Sequence, residues 1–197
     1  SYLDIPQSFL VSYVYELPVG KGKKFLDKGG FVNAVVGGWS IGANQTYQAG
    51  LPLTVDNYQW NSGSFTPVGN VCSVNCGRPN VVSGVDANGI SANGSFVYGV
   101  SRRFNSAAFT EAPNFTFGNA PRELNVREFA TLNEDLTASK AFSVGERLKA
   151  TLRMDFFNAF NRHRFTGFNE NVGDPNFGLA SNAIGQRLLQ ANLKFVF

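Results

Sequence analysis

The chain holds a single histidine, His163, in the run Asn161-Arg162-His163-Arg164. No serine or cysteine stands beside it in a nucleophile's setting, so it reads as a loop residue and not as a catalytic base. Glu134 and Asp135 are adjacent acids. Neighbours on a strand point to opposite faces, so these two cannot work on one substrate as acid and base. Asn169, Glu170, Asn171 and Asp174 could collect a calcium ion through their oxygens, but their spacing departs from the EF-hand loop, and Gly173 and Pro175 explain the stretch as a turn. Cys72 and Cys76 lie in a Gly/Asn/Ser-rich stretch at a spacing that suits a local disulfide in an oxidising compartment. Free thiols are the alternative; zinc would need more ligands than one His and two Cys supply. Lys21, Lys23, Lys24 and Lys28 alternate with Gly20, Gly22, Gly29 and Gly30 without P-loop spacing, and read as a solvated turn. No convergent polar constellation emerges. The expectation is no enzyme, no cofactor and no metal.

The elements that carry these residues are strands. Only 16% of the residues are charged, aromatics reach 14% with 19 Phe against 1 Met, and 21 glycines punctuate the chain. This apolar mass favours strands and the glycines favour turns. A net charge of +3 is too small and dispersed for a nucleic-acid surface. No run of 18 apolar residues could form a membrane helix, and barrel strands escape hydropathy altogether. The chain starts at Ser1 without Met or signal peptide, which reads as a mature chain or a segment of a longer one.

Five long strands follow from period-two alternation. Phe9, Val11, Tyr13, Tyr15 and Leu17 share one side of the first; Trp39, Ile41, Ala43 and Tyr47 share one side of the second. The third, about 131–142, alternates weakly. After the turn Ser143-Val144-Gly145-Glu146, Leu148, Ala150, Leu152, Met154 and Phe156 face away from Lys149, Thr151, Arg153 and Asp155. A helix would scatter these apolar residues around its surface. In the last strand Leu189, Ala191, Leu193, Phe195 and Phe197 alternate with Gln190, Asn192 and Lys194.

Connection lengths alternate with them. Those at 18–36 and 143–147 are compact, whereas 50–128 and 158–186 are long and irregular. Outer-membrane barrels have short periplasmic turns and long external loops, so a periplasmic C-terminus puts the long connections and both cysteines outside. The polar faces are rich in Ser, Thr, Asn, Gln and Gly, as a wet lumen requires, where a soluble sandwich would carry Lys and Glu. Tyr13, Tyr15, Tyr47, Phe156, Phe195 and Phe197 lie near strand ends, as an interfacial girdle would. Trp39, Trp60 and the loop aromatics could stack on a carbohydrate or pack the loop down. The fold class is therefore all-β, an antiparallel meander of about five long strands in a single domain, 1–197, belonging to a transmembrane barrel or a multi-chain β assembly.

The ending Gln190-Ala191-Asn192-Leu193-Lys194-Phe195-Val196-Phe197 is similar to the C-terminal signal read by the barrel assembly machinery, with Gln190, Phe195 and Phe197 matching and Asn192 in place of the usual Gly. Leu152-Arg153-Met154-Asp155-Phe156-Phe157-Asn158-Ala159-Phe160-Asn161, Asp174-Pro175-Asn176-Phe177-Gly178, Phe104-Asn105-Ser106-Ala107-Ala108-Phe109 and Phe117-Gly118-Asn119-Ala120-Pro121-Arg122 resemble the C-terminal region of TonB-dependent receptors of the Oar-like type, which often carry a carboxypeptidase-regulatory-like domain. The resemblance implies a twenty-two-stranded barrel with a plug, importing large or scarce nutrients. It implies the outer-membrane bilayer and the assembly machinery as partners, and TonB only through N-terminal parts outside these residues. Five strands cannot close a barrel that needs about eight. The alternative expectation is a fragment whose edges pair with copies of itself into an extracellular or cell-surface fibre.

Overall fold

The computed structural model describes residues 3–27, 29–57, 77–89, 95–113, 118–144 and 148–197. Cys72, Cys76 and Trp60 lie outside them. In chain order the elements are β1 (Ser8–Glu16), α1 (Phe31–Val36), β2 (Trp39–Gln48), β3 (Asp56–Asn57), β4 (Asn80–Val81), β5 (Phe109–Thr110), β6 (Thr131–Val144), β7 (Leu148–Phe157), β8 (Arg164–Phe168), β9 (Asn171–Val172), β10 (Ala180–Ile184) and β11 (Leu188–Val196). The protein is all-β, and the one α-helix among the described residues is a single six-residue segment.

Two compact units divide the chain. The sheet unit comprises 7–48, 131–163 and 185–197, and holds a five-stranded antiparallel meander in the order β1-β2-β6-β7-β11. These are the five long strands the alternation predicts. The register carries every predicted apolar set to the same face: Tyr13 pairs with Ala43, Ala43 with Leu136, Leu136 with Phe156 and Phe156 with Leu189. Strand ends are staggered. β2 stops at the row of Lys140 while β6 and β7 run on to the pair Val144 and Leu148, and at the opposite end Ser8, Gln48 and Thr131 lie beyond the row of Leu136 and Phe156. Strand centres shift by about four residues from β1 to β11, roughly 13 Å of rise over four spacings of about 4.8 Å. That slant, about 35°, is what a barrel wall needs.

The link between β1 and β2 is not only a turn. Its helix, Phe-Val-Asn-Ala-Val-Val, is short, β-branched and without a side-chain N-cap, so it is unstable alone. Trp39 and Lys140, both on the apolar face, hold its last turn: Trp39 Nε1 donates to the Val35 carbonyl at 3.0 Å, and Lys140 Nζ donates to the carbonyls of Val35 and Gly37, each at 2.8 Å. Gly38 follows at φ 72°, where a Cβ would sit 2.2 Å from the Ala141 carbonyl oxygen, so only glycine fits.

The second unit comprises 1–6, 49–130 and 164–184. Its chain comes chiefly from the two long connections, which both leave the sheet at the β2, β6 and β7 ends opposite the short turns. Short strand pairs (β4 with β5, β8 with β10, and the parallel β3 with β9) frame an apolar core of Leu53, Phe104, Phe109, Leu124, Phe168 and Phe177 with their smaller neighbours. Phe104 and Phe177 stack with centroids 5.0 Å apart, and Phe109 meets both edge-on. Among the described loop aromatics, Phe96, Phe129 and Phe165 also pack against this core.

Candidate functional site

The sheet presents two chemically different faces. Phe9, Tyr47 and Phe156 lie towards the long-loop ends of their strands on the apolar face, and Tyr15, Trp39, Phe142 and Phe195 towards the short-turn ends. Between them stand Val11, Ala43, Leu136, Ala138, Leu152, Met154, Ala191 and Leu193. Along β6, Leu132 to Phe142 spans ten steps, roughly 33 Å, or about 27 Å once tilted, close to the height of a bilayer's apolar band. Many of these large side chains are exposed, Phe9, Tyr15, Leu193 and Phe195 each by more than half. Water does not tolerate such a contiguous patch.

The opposite face is polar through its middle strands. Ser40 and Ser139 hydroxyls meet at 2.7 Å, Thr137 Oγ1 donates to Asp155 Oδ1 at 2.7 Å, and Arg153 Nε donates to both Asp155 oxygens at 2.9 Å. Asn192 and Gln190 of β11 lie beside Arg153 and Asp155. The predicted acid pair is split as strand geometry demands: Asp135 is on this face, where Oδ1 accepts the Asn158 N–H at 2.8 Å, and Glu134 is on the other.

Glu134 is an ionisable group on an apolar face, only 2% exposed. Arg162 Nε donates to Oε1 and Oε2 at 3.0 and 2.9 Å, and the Tyr47 hydroxyl reaches the same carboxylate. Asn158 holds Arg162 in place. Its Nδ2 donates to the carbonyls of Arg162 (2.8 Å) and Gly185 (2.5 Å), and its Oδ1 accepts the Arg162 N–H at 2.8 Å. Asn158 sits at φ 49°, a conformation asparagine tolerates. Asn158→Asp would turn an oxygen towards two carbonyls, so we expect it to lower stability by about 2 kcal/mol. Asn158→Gly, which keeps the backbone but loses the bonds, should cost less; chemical unfolding in detergent compares them.

The remaining residues singled out by sequence do separate jobs. His163 is an exposed loop residue just before β8. Asn169 and Asp174 brace turns by accepting the N–H groups of Asn171 and Asn176, and Glu170 accepts from Thr54 Oγ1 at 2.6 Å. No group of three His, Cys, Asp or Glu side chains able to hold a metal ion occurs among the described residues. Gln190 faces Asp155, Phe195 lies beside Ala150, and Phe197 is fully exposed past the end of β11. Sequence reasoning missed Glu134, Arg162 and Asn158 as one network. The signal for it was the weak alternation of β6, where Glu134 and Lys140 occupy apolar-face positions.

The second unit carries its own acidic feature. Burial raises the pKa of Glu170, with repulsion from Asp56 and Glu128 adding and Thr54 opposing, and burial raises that of Asp56, whose Oδ1 is buried and has no hydrogen-bond partner among the described residues. Both carboxyls bind protons more tightly folded than unfolded, so stability rises as pH falls from neutral through their raised values. It gains nothing further below the ordinary carboxylate range, where both states are protonated. Asp56→Asn should slow hydrogen exchange of residues 51–57 at pH 7 and flatten this pH dependence, once intrinsic exchange rates are corrected.

A tilted meander with an apolar outer band and a polar inner face is a barrel wall, and the family comparison agrees: residues 1–190 match the model of the outer membrane beta barrel domain. The chain belongs to that family. No curated protein and no solved structure matches the chain. Membership places this barrel wall in the bacterial outer membrane, with its apolar face against the bilayer and its polar face towards the lumen. The role shown is that of a barrel portion of an outer-membrane protein.

Proposed function

We propose that this barrel wall is the C-terminal part of a TonB-dependent receptor of the Oar-like type, which imports a large or scarce nutrient. The observation that carries the reading is the unit built from the long connections. A passive pore needs little beyond its strands, whereas a receptor needs an ordered external surface to select its cargo. The signature runs beginning at Phe104 and Asp174 supply the core of that unit through Phe104, Phe109 and Phe177. Gln190, Phe195 and Phe197 serve as the signal for the barrel assembly machinery, on an edge strand whose backbone is open to pairing. A Cys72–Cys76 disulfide would fasten the external unit. TonB acts through parts of the receptor outside these residues.

The test is nutrient-dependent growth of cells whose uptake requires this protein, with and without a functional TonB system. Growth should fail without TonB. Growth that persists identifies a passive barrel, and electron microscopy showing regular filaments in place of isolated barrels would favour the self-pairing alternative.

A further inference from the structure

At the short-turn end of the sheet lies an open cleft of about 790 Å³. Among the described residues four of those lining it are lysines, namely Lys21, Lys23, Lys140 and Lys149, and none is acidic. Lys140 is committed to the helix carbonyls, and Lys23 Nζ lies 3.0 Å from Glu16 Oε2. Lys21 and Lys149 have no ion-pair partner among the described residues. Phe142 carries the bilayer-facing surface into the cleft, and Lys149 enters it at the rim from the polar face of β7. The adjoining helix leaves Phe31 83%, Val35 51% and Val32 42% exposed, with Phe25 and Leu26 also more than half exposed. Because Lys140 and Trp39 hold the end of α1 from the apolar face, this apolar group continues the lipid-facing band beyond the strand ends.

Cations and exposed apolar side chains at one level are the pattern of a membrane interface: the apolar groups enter the acyl boundary while lysines meet phosphates. Short turns face the periplasm, so the adjacent leaflet is the inner one. We propose that this cleft binds the phosphate headgroup of an anionic phospholipid, with α1 dipping into the inner leaflet as an interfacial anchor. The proposal rests on the membrane placement and not on TonB-coupled uptake, so the two can fail separately.

The experiment is native mass spectrometry of the detergent-purified protein titrated with phosphatidylglycerol or phosphatidylethanolamine. Phosphatidylglycerol should bind at least about tenfold more tightly, and more weakly as salt rises. Each lysine near an anionic surface contributes about a fivefold factor, so Lys21→Gln with Lys149→Gln should weaken phosphatidylglycerol by roughly twenty-five-fold. Phe31→Ser should weaken both lipids, and gel migration of unheated samples confirms that each variant is folded. Equal affinity for the two lipids, or no loss in the double lysine variant, would overturn the proposal. Full competition by glycerophosphate without acyl chains would overturn it in favour of a free-phosphate site. Should the double variant not fold, salt-independent binding to the wild-type protein sinks it equally.

Discussion

Leu152→Arg should lower folding stability by about 3 kcal/mol, while Asn44→Arg should change it by less than about 0.5 kcal/mol. Leu152 lies near the middle of β7 on the bilayer-facing side, between Lys140 of β6 and Leu193 of β11 in the register. Lys140 cannot excuse a second cation there, because its ammonium is already folded away under α1. An arginine at this depth must drag water or headgroups into hydrocarbon. Asn44 points to the lumen, is exposed, and pairs with Asp135, so an arginine there gains a carboxylate neighbour and stays hydrated. The natural Arg153, one residue beyond Leu152 and on the other face, already shows what the lumen side accepts. Urea unfolding in lipid vesicles reads both variants. Equal costs would mean that the two faces have been assigned the wrong environments.

Arg162→Ala should be nearly as damaging, again by about 3 kcal/mol. The guanidinium is half exposed, but the carboxylate it serves is not, and removing the cation strands a charge left, among the described residues, to the Tyr47 hydroxyl. Glu134→Leu in the same chain should restore most of the loss, since an apolar residue matches the rest of that face. The loss measured for Arg162→Ala alone is then mainly the cost of an orphaned carboxylate. If the double variant is no more stable than Arg162→Ala, the arginine acts through its packing on Phe160 and not through Glu134.

The legible parts of the sequence were those in which neighbours along the chain carry the information. In β7, four polar side chains alternate with five apolar ones, and a two-residue period survives without knowledge of any partner strand. Connection lengths gave the parity of the sheet for the same reason. β6 was less clear because Glu134 and Lys140 occupy apolar-face positions, and the groups that satisfy their hydrogen bonds lie 28 residues away at Arg162 and 105 away at Val35. A window along the sequence registers the violation but not its compensation. Phe104, Phe109 and Phe177 were quotable as motif residues, yet nothing periodic announced that they would stack into one core.

By itself, then, the sequence determined the five strands, the composition of their two faces and the sheet's membrane character, because side-chain alternation is a property of the extended backbone. Tertiary structure alone decided that the long connections pack into a compact unit, that Glu134 is neutralised from a following loop, and that a short, poorly capped helix is pinned to the apolar rim by Lys140 and Trp39. Each of those outcomes depends on desolvating groups far apart in the chain, and the free energy of such contacts exists only once the fold has brought them together.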